Sequence, residues 1–228
     1  VKGAKPIPLL SHRQAQELAG NGLGALHPAA MEPLEGTSIV VYVKNVDQPA
    51  RTGTKISPTI GSRAPAGITL TRGHHLLTVQ TGAMFDVAGF VAAAATVLAK
   101  RDLSIGLTAT GETRLSFSTK GSVGEIGEAM KEIAVKATVR DEGSCAVLTV
   151  VGGVKGLNRQ TLTRIMEALA KSAKVLSFSM AGAGYDWPAD ADPLSCQIVV
   201  RNRDAERALR AVHRALYNKP CNKHGKPA

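Results

Sequence analysis

The chain has 228 residues, of which 44% are hydrophobic and 20% charged, and it carries a formal net charge of +10. That is an ordinary balance for a soluble globular protein of one large or two to three small domains. It contains no apolar run long enough to span a bilayer, and residues 1–20 lack a signal-peptide pattern.

Three cysteines (Cys145, Cys196, Cys221) are widely spaced. They form neither a metal-ligand spacing nor a disulfide framework, so a reducing cytoplasm is the expected compartment. In chain order, SHRQAQELA (11–19) opens with Ser11, suited to N-capping, and places Gln14 at the capping-box position. A helix is expected there, ending at the cluster GNGLG. Gly20, Gly22 and Ala25 mimic a dinucleotide fingerprint, but that motif must follow a buried strand and open a helix. The glycines here follow a helix, so they read as its C-terminal cap. A strand is expected over SIVVYVKNV (38–46). Residues 47–66, rich in Pro, Gly, Ser and Thr, read as a linker.

Short strands and amphipathic helices then alternate. The first unit reads strand 75–81, helix 85–101, strand 103–109, strand 113–119, helix 123–134 and strand 135–140. The second reads strand 145–152, helix 158–173, strand 174–180, strand 194–200 and helix 204–217. Apolar stripes at helical spacing support the helices: Phe90, Ala94, Val97 and Leu98; Leu162, Ile165, Met166 and Leu169; Ala205, Leu209, Val212 and Leu216. The order βαββαβ predicts an α+β fold, an antiparallel sheet with both helices on one face, the ferredoxin-like arrangement. The second unit lacks a last strand, which AGITLTR (66–72) can supply. The first unit is then inserted into the second.

The basic residues raise the question of a nucleic-acid surface. Arg203, Arg207, Arg210 and Arg214 share one helix face, and Lys219, Lys223 and Lys226 follow. Aromatic residues are only 4% of the chain, which argues against a base-stacking platform, and Asp204 and Glu206 interrupt the run. A solvated helix face is the preferred reading. His74 and His75 are adjacent at a strand start, where side chains diverge, so they read as surface or capping groups and not as metal ligands. His27 precedes Pro28 and reads as a turn-shaping residue.

Ser11, Ala15, Glu17, Leu18, Ala19, Gly22, Leu26, His27 and Pro28, in SHRQAQELAGNGLGALHP, resemble the end of the aspartate kinase catalytic domain. Pro33, the strand to Val46 and Gly53-Thr54 continue the likeness. Gly20 and Asn21 stand where that family has two aromatic residues, and Gly24 where it has lysine. The remainder, with LLTVQTGAM, GFVAAAATVLAKRDLSI, GETRLSFST and DAERALRAVHRALY, resembles the paired ACT regulatory domains of the same family, closest to its lysine-sensitive branch. The resemblance implies residues 1–57 as a catalytic-domain remnant plus linker and 74–140 as a first ACT domain. It implies 66–73 with 143–217 as a second ACT domain and 218–228 as a flexible tail.

The family's segments Lys-Phe-Gly-Gly-Thr and Gly-Arg-Gly-Gly-Ser-Asp, which hold nucleotide and aspartate, are not in this sequence. The chain begins about where the family's nucleotide-binding region has ended. No catalytic residue, metal or cofactor is therefore expected. The resemblance implies an amino-acid effector, bound between the first modules of two subunits and lined by Met84, Val87, Phe90, Val91, Ile105, Gly106, Gly111 and Glu112. Helix N-terminal N–H groups would meet its carboxylate, and acidic groups its amine. Glu112 is retained. Gly106 stands where lysine-sensitive members have aspartate, and Gly111 and Val87 where they have polar residues such as serine. Each hydrogen bond lost to a charged ligand would cost about 1.5–3 kcal/mol. In the alternative reading, Met84, Phe90, Val91 and Ile105 are core or dimer residues.

These readings combine into a dimeric, amino-acid-sensing regulatory segment, for lysine first and threonine second, that signals to a catalytic aspartate kinase subunit or domain. The alternatives are a ligand-free scaffolding ACT pair, an active kinase if the native chain extends upstream, and a nucleic-acid binder using the arginine helix.

Overall fold

The computed structural model describes residues 3–34, 36–58, 65–80, 89–134, 137–153, 157–181 and 195–218. Two sheets organise the chain. The smaller has the order β1-β3-β2, from β1 (Leu9–Ser11), β2 (Val41–Val43) and β3 (Thr54–Ser57). Strands β1 and β3 run parallel, while β2 and β3 run antiparallel. Helix α1 (His12–Gly20) leaves β1 directly. Its Ser11 and Gln14 close a reciprocal capping box, with both bonds at 3.0 Å. At its other end Leu23 N–H reaches Leu18 O and Gly22 N–H reaches Ala19 O. Gly22 has φ +95°. That is a Schellman cap, which explains the glycine cluster without any phosphate.

Two sequence expectations change here. The segment read as a linker contains β3, whose Ile56 is fully buried beside Leu10 and Leu18. The strand expected over 38–46 shortens to Val41–Val43.

The larger sheet has the order β5-β6-β4-β7-β9-β8, and every pairing in it is antiparallel. Its strands are β4 (Gly67–Gln80), β5 (Ile105–Thr110), β6 (Arg114–Thr119), β7 (Thr138–Val151), β8 (Val175–Ala181) and β9 (Ser195–Arg201). Helices α2 (Phe90–Ala99) and α3 (Val123–Ala134) belong to the first unit, and α4 (Arg159–Ala170) and α5 (Ala205–Tyr217) to the second. Each unit is one ferredoxin-like module, and the two form a tandem in which the first is inserted in the second. The segment AGITLTR does supply the second unit's last strand, because Gly67–Thr71 pairs with Val147–Val151.

The strands read as separate are continuous: 66–72 and 75–81 merge in β4, and 135–140 and 145–152 merge in β7. Each long strand is interrupted by one extra residue. The register steps from Thr71↔Val147 to His74↔Cys145, then from His75↔Ser144 to Leu77↔Asp141. Gly73 (φ +75°) and Gly143 (φ +85°) sit at these two steps, in the left-handed region that glycine bulges use.

Because side chains alternate, one extra residue moves the following set to the other face. In β4, Ile68 and Leu70 face α4 and α5, whereas Leu77 and Val79 face α2 and α3. The bulges thus give each unit its own helix-covered core. The helix-free faces then meet in a third cluster of Leu76, Leu107, Cys145, Val147 and Val199. Burial pushes both thiols, Cys145 and Cys196, up to about 12, so neither is a ready nucleophile. Of the predicted stripes, only Met166 departs, standing 42% exposed beside buried Ile165 and Leu169.

Nothing lies within 4 Å of a Cβ added at Gly143, so substitution there tests the backbone alone. Gly143→Ala is expected to lower the unfolding free energy by about 1–2 kcal/mol, and Gly143→Asn by less. Urea denaturation measures both, and a Gly143→Ala protein as stable as the parent would sink the bulge argument.

Candidate functional site

The implied effector residues lie in the first unit, and the structure distributes them. Met84 and Val87 lie outside the described residues. Phe90 opens α2 and packs against the core of the first unit, while Val91 stands 44% exposed. The start of α2 has Gly89 at its N-cap with φ +90°, and among the described residues no side chain caps its first turn. This follows from sequence: no Ser, Thr, Asp or Asn stands at position 89. An uncapped helix start is suited to an anion such as a carboxylate.

Ile105 and Gly106 begin β5, and Gly111 and Glu112 follow its far end. Gly111 N–H closes the β5–β6 hairpin on Arg114 O at 2.8 Å. Glu112 is exposed at its tip. Arg114 pairs with Gln80, the last residue of β4. The chain leaves β4 toward α2 from that same end. Glu112 therefore shares an end of the sheet with the exit of β4. Seven residues separate Ile105 from Glu112, on the order of 20 Å along an extended strand. Within one chain, then, Ile105 and Glu112 do not line a single amino-acid pocket. Among the described residues, strand β5 is hydrogen-bonded to β6 alone, while its Leu107 packs toward Val199 of β9.

Gly106 has a local structural role. The register slips between Ile105 and Thr108, and buried Ser118 Oγ fills the gap by accepting Leu107 N–H at 2.9 Å. A Cβ at position 106 would lie 2.6 Å from that oxygen and 3.8 Å from His74 Cε1. Glycine at 106 accommodates the bulge. Gly111 is open, its nearest contact being Arg114 O at 3.8 Å.

His74 and His75 diverge, each to its own partner. His75 Nδ1 meets Asp141 at 2.7 Å. His74 Nε2 meets Thr71 Oγ1 at 3.1 Å, while its buried Nδ1 finds no partner among the described residues. Burial, reinforced by the Lys120 charge, pushes the His74 imidazole down to about 4. His27 Nδ1 accepts Ala29 N–H at 3.3 Å and so shapes the turn at Pro28. Of the four arginines, Arg203 belongs to the short 3-10 turn before α5, and Arg207, Arg210 and Arg214 line a groove against α4.

Sequence reasoning missed one arrangement, a polar seam between α1 and the second unit. Gln14 Nε2 donates to Gly152 O at 2.9 Å. Ser195 Oγ donates to Glu17 Oε1 at 2.7 Å. Asn21 Oδ1 accepts from Thr149 Oγ1 at 3.1 Å and Gln197 Nε2 at 3.0 Å. The one available signal was Asn21, a polar residue at a position where the resembling family is aromatic.

No protein-family profile matches the sequence. The aspartokinase 3, chloroplastic, of Arabidopsis thaliana is 26% identical over 233 residues, covering 94% of this chain and 39% of its own length. The homologues of this chain are aspartokinases. The E. coli aspartokinase III in complex with lysine and aspartate superposes with a TM-score of 0.77 at 23% identity, over 96% of this chain and 48% of that one. The ligand-free regulatory subunit of aspartate kinase from Thermus thermophilus superposes at 0.53 and 20% identity, over 67% of this chain and 97% of that one. The chain thus spans less than half the length of these longer aspartokinases and contains the fold of a regulatory subunit.

Two predictions follow from the geometry. Gly106→Asp, which supplies the acidic group of lysine-sensitive members, is expected to cost about 1–3 kcal/mol by displacing Ser118 from Leu107 N–H. The same change in a Ser118→Ala background should cost less, and equal costs in a double-mutant cycle by urea unfolding would refute the clash. For His74, the folded value lies below the ordinary 6.5, so the unfolded chain binds the extra proton. Its contribution is present above pH 6.5 and is lost as pH falls toward about 4. The urea midpoint should fall between pH 7 and pH 5, and fall less in His74→Asn.

Proposed function

We propose that this chain is the regulatory part of an aspartate kinase, which senses an amino acid and does not phosphorylate aspartate by itself. The observation that carries the reading is the start of α2, which has no side-chain cap among the described residues, in a unit whose edge strand β5 pairs there with β6 alone. Two copies joined antiparallel along β5 would set Ile105 and Gly106 of one against the Glu112 end of its partner. That closes the separation found within a single chain. The effector carboxylate would sit on the N–H groups at Phe90 and Val91, and Glu112 would take the amine. Lysine is the first candidate, because the superposed E. coli enzyme binds it, and threonine the second. Gly106 and Gly111 offer a lysine side chain neither a counter-charge nor a hydroxyl.

The polar seam is the proposed output. It ties strands β7 and β9 of the second unit to α1, the segment that resembles the end of a catalytic domain. Neither phosphate-holding segment of the family is in this sequence, and phosphoryl transfer depends on such positioning groups. The receiving catalytic unit is therefore a kinase domain in the same polypeptide or in a partner subunit.

A thermal-shift series with each common amino acid tests the reading. A ligand at 100 times its dissociation constant stabilises by about 2.7 kcal/mol, so lysine or threonine should raise the melting temperature in a dose-dependent way. Glu112→Gln should reduce that rise. No shift with any amino acid would favour the ligand-free scaffolding reading, and aspartyl phosphate formed by this chain alone would overturn the non-catalytic claim.

A further inference from the structure

We infer that the groove between α4 and α5 is a second ligand site, one that takes a small anion with two or more linked phosphate groups. The groove is open to solvent and has a volume of about 480 Å³, within the range of small-molecule sites. Ala168, Ala211 and Ala215 form its floor. Small side chains leave the space between the helices open. Its rim carries Lys171 from the end of α4 and Arg207, Arg210 and Arg214 from α5, and no acidic residue lines it. Arg207 and Arg214 lie seven residues apart, on the order of 10 Å along the helix. A chain of linked phosphates can follow such a row, whereas a single anion engages one end of it.

The cations are not equivalent. Arg207 is committed: it donates to Ser172 O and pairs with Asp204 at 2.6 Å, so it pins the end of α4 to the start of α5 and fixes the groove. Arg210 is held loosely, 3.5 Å from Glu206. Glu206 is shared with Arg72, which lies closer at 3.1 Å. The side chains of Lys171 and Arg214 have no hydrogen bond or ion pair among the described residues. One comes from each helix, so together they flank the groove with uncompensated charge. Guanidinium forks match phosphate oxygens in pairs, and a linked phosphate carries several charges, so it can meet more of these cations at once than a single carboxylate can. The site lies on the second unit, away from the effector residues of the first, and does not rest on the effector proposal.

The test is calorimetric titration of the whole chain with inorganic tripolyphosphate, ADP and ATP at about 0.15 M salt, where exposed charges beyond roughly 8 Å are screened. Lys171→Ala/Arg214→Ala should weaken binding by about tenfold or more. Both residues are exposed, so the core is not touched. Lys5→Ala/Lys55→Ala removes the same charge elsewhere and should leave binding unchanged. Glu206→Gln should tighten binding by releasing Arg210. Tighter ATP than tripolyphosphate would identify a nucleoside phosphate seated on the alanine floor, and equal affinity a free polyphosphate. Equal losses in the two double variants, absent binding, or tighter binding of duplex DNA or an acidic peptide than of any phosphate would each overturn the assignment.

Discussion

The arrangement depends on β4 and β7, two strands of 14 residues that pair along their length and are each interrupted once by a glycine in the left-handed region. Without the extra residue, the alternation that sends Ile68 and Leu70 toward α4 and α5 would send Leu76, and not Leu77, toward α2 and α3. A one-residue slip exchanges the faces of every following side chain. The two bulges compensate: β4 gains its residue before His74 and β7 gains its own before Ser144, so the pairing resumes in step. Both units can then turn their helix-free faces to one shared core around Leu76, Leu107 and Val199. Two small units that would each be marginal alone bury a common apolar surface.

That shared face also determines where α1 can sit. Its inner part is apolar and closed by the other unit. Its outer part carries Thr149, Ser195 and Gln197, and these meet Glu17 and Asn21. Apolar contacts tolerate sliding, because burial energy is non-directional. Hydrogen bonds of 2.7–3.1 Å do not, since they weaken steeply with distance and angle. A small displacement of β9 against β7 therefore reaches α1 as broken or re-formed bonds. Asn21 is central because its Nδ2 also caps Glu17 O at 2.8 Å, so the end of α1 and the sheet share one side chain.

Much of this was legible in the residues. The Ser11–Gln14 box, the stripes of α2 and α5, and the missing strand supplied by AGITLTR all follow from periodicity and capping. The fusion of strands into β4 and β7 was hidden by Gly73 and Gly143, which read as breaks when they are bulges. Strand β3 was hidden because Thr54, Ser57 and the neighbouring Gly and Pro residues suggest a loop, and only the non-local contact of Ile56 with Leu10 and Leu18 reveals it. The candidate site was legible by resemblance alone. The separation of Ile105 from Glu112 needed the strand to be placed, and the tightness at Gly106 needed Ser118 Oγ, which pairs from another strand.

The internal repeat does not imply two equivalent effector sites. Helices α2 and α4 occupy the same place in their units, yet their first turns differ. Asn158 caps α4, its Oδ1 accepting Thr161 N–H at 2.9 Å, whereas Gly89 offers α2 no side chain. A cap of this kind satisfies a donor that a carboxylate would otherwise take, and displacing it costs about 0.5–2 kcal/mol. The edges differ as well: β5 carries Gly106 and is followed by Gly111, whereas β8 runs Val175–Ala181 without glycine. Under the proposed sensing role, these differences favour the first unit over the second as the place for an amino acid. The second unit is left to contact α1 through its sheet and, through the far side of its helices, to present a basic groove to solvent.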